Sequence, residues 1–181
     1  MMDVFPQFLR DHNYFAVYLL MMLDAFFPIF PSEMVMGMAG LLASQGAMTL
    51  PGAIAAGTAG ALTGALIWYV LGRFLGLARF SLLMDRIGWL TTIKMNEIDR
   101  LSRWFERFGT PIVFFARMVP LVRTAISIPA GLVKLNFFTF LVLTVIGDTI
   151  WSSLLAVAGW KLGTHYYEVI HAWLGDRKSV V

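Results

Sequence analysis

Four charged side chains, Asp24, Glu33, Arg117 and Arg123, stand in stretches that are otherwise apolar. A charge at the centre of a membrane helix costs roughly 2.5–3.5 kcal/mol on insertion scales. Two acids and two arginines can offset one another, or they can compensate a charged ligand. Arginine suits an oxyanion such as phosphate, because its planar fork donates two parallel hydrogen bonds and stays protonated. Arg117 and Arg123 are six residues apart, which on a straight helix sets them about 240° apart, on different faces. Pro120 lies between them, and a break there lets both guanidinium groups converge on one point. The alternative is a pair of interfacial anchors that snorkel to the headgroups.

The acids carry the same kind of double reading. Pro31-Ser32-Glu33 resembles a helix start, with Ser32 as N-cap and Glu33 near the positive end of the helix. The functional alternative for Glu33, and equally for Asp24, is a carboxyl group that exchanges protons at the site. Asp148 is a fifth charge in an apolar setting, suited to a structural hydrogen bond across helices. Thr124, Ser127, Gly131 and Trp151 complete the candidate set as supporting residues.

Other chemistries lack their residues. There is no cysteine, which removes disulfides, thiolate metal sites and cysteine nucleophiles. His12, His165 and His171 have no metal-ligand spacing. No Gly-x-Ser-x-Gly elbow, P-loop or Ser/Lys signature occurs. The expectation is a protein that is not an enzyme and holds no metal or cofactor.

The elements that position these residues follow from composition. Of 181 residues 59% are hydrophobic and 14% charged, with mean hydropathy +0.74. A soluble domain averages about 45–50% apolar and about 25% charged residues. This is the composition of an integral membrane protein. Residues 34–72 hold no charge at all, more than the ~20 residues one crossing needs. Ser44-Gln45-Gly46 and Thr49-Leu50-Pro51-Gly52 supply an interruption. One span then fits residues 52–72 and another residues 135–160.

Residues 26–43 and 108–131 are apolar but broken by proline, glycine and charge. Irregular backbone at membrane depth survives only where protein buries it or where it lines a watery cavity. Both segments therefore read as re-entrant hairpins. The tail, 161–181, reads as an interfacial amphipathic helix, with no cleavable leader at the other end of the chain.

The halves look alike, and broken segments at matching positions of two halves point to a transporter's central site. A shift of 87 residues pairs Gly60 with Gly147 and Gly72 with Gly159, whereas a shift of 83 pairs Gly64 with Gly147 and Trp68 with Trp151. The two registers compete. Gly60/Gly64, Gly72/Gly76 and Gly159/Gly163 allow close helix approach.

Residues 73–107 hold seven basic and four acidic side chains, a surplus equal to the net charge of the whole chain, +3. The positive-inside rule makes this segment cytoplasmic. It is a mark of orientation rather than a nucleic-acid surface, since no recognition motif accompanies it. The N-terminus then falls on the cytoplasmic side, and the first hairpin opens outward while the second opens inward.

The stretch Phe115-Ala116-Arg117-Met118-Val119-Pro120-Leu121-Val122-Arg123-Thr124, running on to Ala130-Gly131, resembles the signature of the DedA family of bacterial membrane proteins. That signature reads Phe-x-Gly-Arg-Phe-x-Pro-x-x-Arg-Thr with a small-residue run ending Ala-Gly. Phe137, Gly147-Asp148-x-x-Trp151, Asp24, Pro31-Ser32-Glu33 and Tyr69-x-x-Gly72-Arg73-x-x-Gly76 are similar too. The family shares its domain with eukaryotic VTT-domain lipid scramblases. Here Ala116 replaces the usual glycine, and Ala65 stands where an acid is common. The frequent extra C-terminal span of the family is not matched.

The resemblance implies transport of a phosphorylated lipid carrier, undecaprenyl phosphate in several members, with proton-motive force in some. It assigns critical roles to residues matching Asp24, Glu33, Arg117 and Arg123. The resulting expectation is an all-α integral membrane protein, an inverted repeat of two re-entrant hairpins each followed by a transmembrane helix, plus amphipathic cytoplasmic helices. Its parts are repeat one at 24–78, a basic connector at 79–107, repeat two at 108–163 and the tail at 164–181. Expected partners are membrane lipids, a phosphorylated isoprenoid or phospholipid headgroup and protons, in the bacterial inner membrane, with room for a homodimer. Arg117 and Arg123 would clamp the phosphate, while Asp24 and Glu33 exchange protons. A proton-coupled cation antiporter and a lipid-phosphate phosphatase are the alternatives.

Overall fold

The computed structural model describes residues 4–26, 31–87, 100, 103–105 and 107–177, with side chains described for 14–26, 31–75, 100, 103–105, 107–119 and 122–165. Pro28, residues 88–99 and Glu106 of the basic connector, and the tail side chains from Tyr166 onward, lie outside the described residues. Every regular element among the described residues is helical. In chain order these are α1 (Val4–Asp24), α2 (Ser32–Ser44), α3 (Leu50–Ile87), α4 (Ile112–Arg117), α5 (Pro120–Ala125), α6 (Ser127–Leu132) and α7 (Phe137–Arg177).

Two helices are long and apolar enough to cross a membrane, over Leu50–Leu75 of α3 and Phe137–His165 of α7. Each starts on a polar cap. Thr49 Oγ1 accepts from the Gly52 amide at 3.3 Å, and Asn136 Oδ1 accepts from the amides of Phe138 (3.0 Å) and Thr139 (3.3 Å). These bonds satisfy donors that the first turn leaves unpaired.

The helix before each span stops in the same way. After α2, Gly46 turns to φ 77°, with Ala47 N donating to Leu42 O and Gly46 N to Ala43 O. After α6, Lys134 turns to φ 53°, with Leu135 N donating to Ala130 O and Lys134 N to Gly131 O. Both are Schellman stops, which need a left-handed residue. Glycine adopts that conformation freely, whereas lysine does so at a cost of roughly 1–2 kcal/mol.

Packing follows a crossed pattern. The first arm, α1, lies along α3, while α2 packs chiefly on α7; α4 packs on α7, while α6 packs on α3. Small residues bring backbones into contact at each crossing. A side chain at Gly40 would strike the Ala156 carbonyl and one at Gly159 the Gly37 carbonyl. Likewise a side chain at Gly131 would strike the Tyr69 carbonyl, and one at Gly72 the Ile128 carbonyl. Tyr69 and Ala156, like Gly72 and Gly159, are 87 residues apart. On α3 and α7 the contacts thus follow the 87-residue register rather than the pairing of Trp68 with Trp151, whereas their partners on α2 and α6, Gly37 with Ile128 and Gly40 with Gly131, are 91 apart.

Three expectations need correction. The Tyr14 hydroxyl accepts from the Thr49 amide at 2.9 Å and bonds the Thr49 hydroxyl. Tyr14 on α1 therefore lies at the end of the bundle where α3 begins, opposite Arg73, and α1 does not carry the N-terminus to the side of the basic segment. The helical segment before α2 accordingly starts well before residue 26, at Val4. The tail is no separate helix either, because α7 continues unbroken through Gly163 to Arg177. Finally, Ser32 does not cap α2: it is the first helical residue, buried, and Pro31 holds the cap position with no side-chain hydrogen bond.

Candidate functional site

The arginine-bearing segment bends where proline dictates. Helix α4 ends at Arg117, Val119 is extended (φ −109°, ψ 118°), and α5 starts with Pro120 at its first position. Proline clashes with a helical preceding residue, yet tolerates the first turn of the next helix. The bend overrides the angular separation of a straight helix. Arg117 and Arg123 both line one hollow of about 10 Å³, with Met21, Ala25, Ala61, Ala65 and Thr124. Such a space holds about one water.

Arg117 is 2% exposed and held on three sides. Its Nη1 donates to both carboxylate oxygens of Asp148 (3.3 and 3.4 Å), and its Nη2 donates to Ser127 Oγ (3.0 Å) and Thr144 Oγ1 (3.2 Å). The guanidinium also lies 5.8 Å from the centroid of the Phe140 ring. Only its Nε–H has no partner. Gly147 makes this placement feasible, since a Cβ there would sit 2.7 Å from Arg117 Cβ.

Arg123 is 5% exposed and ion-paired through Nη2 to Asp24 Oδ2. Asp24 ends α1, so this pair ties the end of α1 to α5. Two cations and two carboxylates leave the cluster neutral. Taking an ion out of water costs several kcal/mol, recovered only where the partner geometry is good. The four charges therefore stand or fall as pairs.

The sequence-derived set divides on inspection. Asp24, Arg117, Arg123, Thr124, Ser127 and Asp148 come together at the hollow or in its ion pairs. Glu33 does not join them: it is exposed in the first turn of α2 and makes no ion pair among the described residues. Pro31 is exposed, Pro120 starts α5, and Gly131 serves the α3 crossing. Trp151 is half-buried, with its indole N–H unpartnered.

Sequence reasoning passed over Thr144. Its spacing of four residues from Asp148 puts both on one face of α7, a signal that was available. Tyr69 and Arg73, matched to the family motif without a role, form a second polar knot. The Tyr69 hydroxyl donates to Leu135 O at 2.5 Å, and Arg73 Nη1 donates to both the Tyr69 hydroxyl (2.8 Å) and Leu135 O (3.0 Å). Tyr69 stacks on Phe140 at 4.4 Å, and Trp68 Nε1 donates to Ala25 O at 2.8 Å. These bonds anchor the start of α7 and the end of α1 to α3. Among the described residues no cluster of metal-ligating side chains occurs.

Two helices long and apolar enough to cross a membrane, with charges buried as pairs on the elements packed around them, fit a membrane protein. More narrowly, the VTT domain profile matches residues 28–161, and the chain belongs to the VTT-domain family, the DedA proteins. An alkaline phosphatase-like protein of Lactococcus lactis subsp. lactis is 36% identical over 182 residues, covering 100% of this chain and 85% of its own length. Undecaprenyl phosphate transporter A of Staphylococcus aureus is 31% identical, covering 92% of this chain and 82% of that protein. The Bacillus subtilis protein of the same name is 35% identical, covering 78% and 69% respectively. No solved structure matches the chain.

Proposed function

We propose that the protein carries a phosphorylated isoprenoid lipid, of the undecaprenyl phosphate type, across the bacterial inner membrane. Two relatives bearing that substrate in their names support the choice of lipid. The observation that carries the reading at the site is the Arg123–Asp24 pair beside a hollow that also receives Arg117. A lipid phosphate presents the same oxyanion edge as a carboxylate, so it can take the place of Asp24 on Arg123. The spare Nε–H of Arg117 and the Thr124 hydroxyl add donors at the rim. A hollow of about 10 Å³ admits no phosphate, so loading requires Asp24 to withdraw and the hairpin tips to part. The lipid drives that opening only to the extent that it binds the open form more tightly.

In the bilayer, α1–α2 and α4–α6 act as re-entrant hairpins, each followed by its span, in an inverted arrangement. Helix α2, with 13 residues, is about 20 Å long, too short for a hydrocarbon layer of about 30 Å. The contact residues 87 apart on α3 and α7, their partners 91 apart on α2 and α6, and the twin Schellman stops also support a repeat. The basic surplus of residues 73–107 puts that segment in the cytoplasm. Asp24 takes up a proton when it leaves Arg123, and Glu33 is a second carboxylate for exchange, which couples transport to protons.

The test is headgroup translocation of undecaprenyl phosphate in liposomes, with and without a pH gradient. The wild type should translocate, faster with a gradient of one sign, and Arg123→Ala should not. Equal rates for wild type and Arg123→Ala would overturn the reading. The alkaline phosphatase-like names of two relatives give hydrolysis a second hearing. The expected result is no phosphate release from undecaprenyl phosphate by the purified protein, since hydrolysis needs a nucleophile or general acid–base pair at the phosphorus.

A further inference from the structure

On the half of α3 that begins at Leu50, a groove of about 430 Å³ opens between α3 and α7. Leu50, Pro51, Ile54, Ala55, Thr58 and Thr149 line it. On α3 these residues fall at four-residue steps, one face followed for about 12 Å. At its inner end the groove nearly meets the arginine site. Thr58 is one α3 turn from Ala61, a wall of the arginine hollow, and Thr149 follows Asp148, the partner of Arg117.

The layer between groove and hollow is not inert. Thr58 Oγ1, in the groove wall, has no hydrogen-bond partner. The same is true of Ser152 Oγ, which is fully buried beside Gly57, and of Arg117 Nε. An unmade hydrogen bond at a buried group costs about 1–3 kcal/mol, and three in one seam call for a cause. Donors that lead from an apolar groove to a cationic hollow fit an amphiphile with an anionic end. The volume of the groove falls in the range of small-molecule sites, about 300–1,000 Å³, and its walls are chiefly hydrocarbon.

We propose that this groove seats the first units of the hydrocarbon chain of the phosphorylated lipid whose phosphate pairs with Arg123. The inference rests on the lipid-phosphate reading above and deepens it. The chain is then not left free in the bilayer but bound by the protein. Selectivity for lipid phosphates over free phosphate follows, because only a ligand with both parts fills both sites.

The absence of cysteine from the sequence allows a clean test. Ala55→Cys, on an exposed groove position, gives this chain a single thiol. It is reconstituted in phosphatidylcholine nanodiscs and labelled with a maleimide in the presence of undecaprenyl monophosphate or dimethylallyl monophosphate. In parallel, both phosphates are titrated against the wild type and Ala55→Trp. The expected result is that undecaprenyl monophosphate slows labelling several-fold while the short phosphate does not. Ala55→Trp should weaken binding of undecaprenyl monophosphate about tenfold, roughly 1.4 kcal/mol, and leave dimethylallyl monophosphate unchanged. Undiminished labelling and an unchanged affinity in Ala55→Trp, with undecaprenyl monophosphate still bound by the wild type, overturn the chain seat alone. Failure of the wild type to bind either phosphate overturns the lipid-phosphate reading and the seat with it.

Discussion

Two buried ion pairs of the same chemistry sit at one hollow, and their surroundings differ sharply. Arg117–Asp148 joins α4 to α7, neighbours in the same half of the chain, and Ser127 and Thr144 complete its hydrogen bonding. Arg123–Asp24 joins α5 to α1, in opposite halves, and no other side-chain hydrogen bond of Arg123 occurs among the described residues. A charge with four hydrogen bonds is part of the framework. One with a single partner on another element can exchange that partner. Identical residue types thus divide into a fixed arginine and an exchangeable one, a refinement of the expectation that both clamp the ligand equally.

The largest effect should come from breaking the fixed pair. Arg117→Ala leaves Asp148 buried and unpaired, a loss of about 3–5 kcal/mol, read as a fall in thermal stability and in yield of monodisperse protein. Arg117→Lys keeps the charge but cannot reproduce the fork, so it should also be destabilised, by less. Next comes the exchangeable pair. Arg123→Ala should abolish translocation while its melting temperature falls less than that of Arg117→Ala. Equal stability losses at the two arginines would erase the distinction. The double variant Asp24→Ala/Arg123→Ala should regain stability over Arg123→Ala, because no lone charge remains, yet stay inactive in liposomes.

Smaller effects sharpen the same contrast away from the hollow. Tyr69→Phe removes the hydroxyl shared by Leu135 and Arg73 and should cost about 1–2 kcal/mol, with translocation retained. Lys134→Gly relieves a left-handed lysine and should gain about 1 kcal/mol, visible as a rise in melting temperature.

Much of the plan was legible before any coordinates. The uncharged run from residue 34 to 72 and its interruption near Pro51 locate the start of α3 and its apolar stretch, Leu50–Leu75, within a few residues, because hydrocarbon tolerates little else. Pro120 marks the bend between the arginines, since its effect on backbone is local. Partner choice was not legible. Whether Arg117 faces Asp148 or Asp24 depends on the rotation of each helix about its axis, which hydropathy does not encode. Asp148 therefore read as a structural contact across helices with no partner named, and Glu33 as a site residue, with nothing to tell that it lies exposed in the first turn of α2. The path of α1 was hidden for a related reason: an apolar run of this length fits a crossing and a half-crossing equally well. Gly64 and Trp68 offered a plausible second register, and only the carbonyls that meet Gly40, Gly72, Gly131 and Gly159 separate the two.

Those carbonyl contacts also constrain how the molecule can move. With α2 pressed backbone to backbone on α7, and α6 on α3, the two halves are interlocked like clasped hands. Sliding them apart as rigid blocks would tear open every one of these seams. The six-residue α5 has no such seam and is bounded by the extended Val119 and the turn at Ile126, but Val122 and Ala125 bed it in the core, so Arg123 can shift only as far as that packing yields.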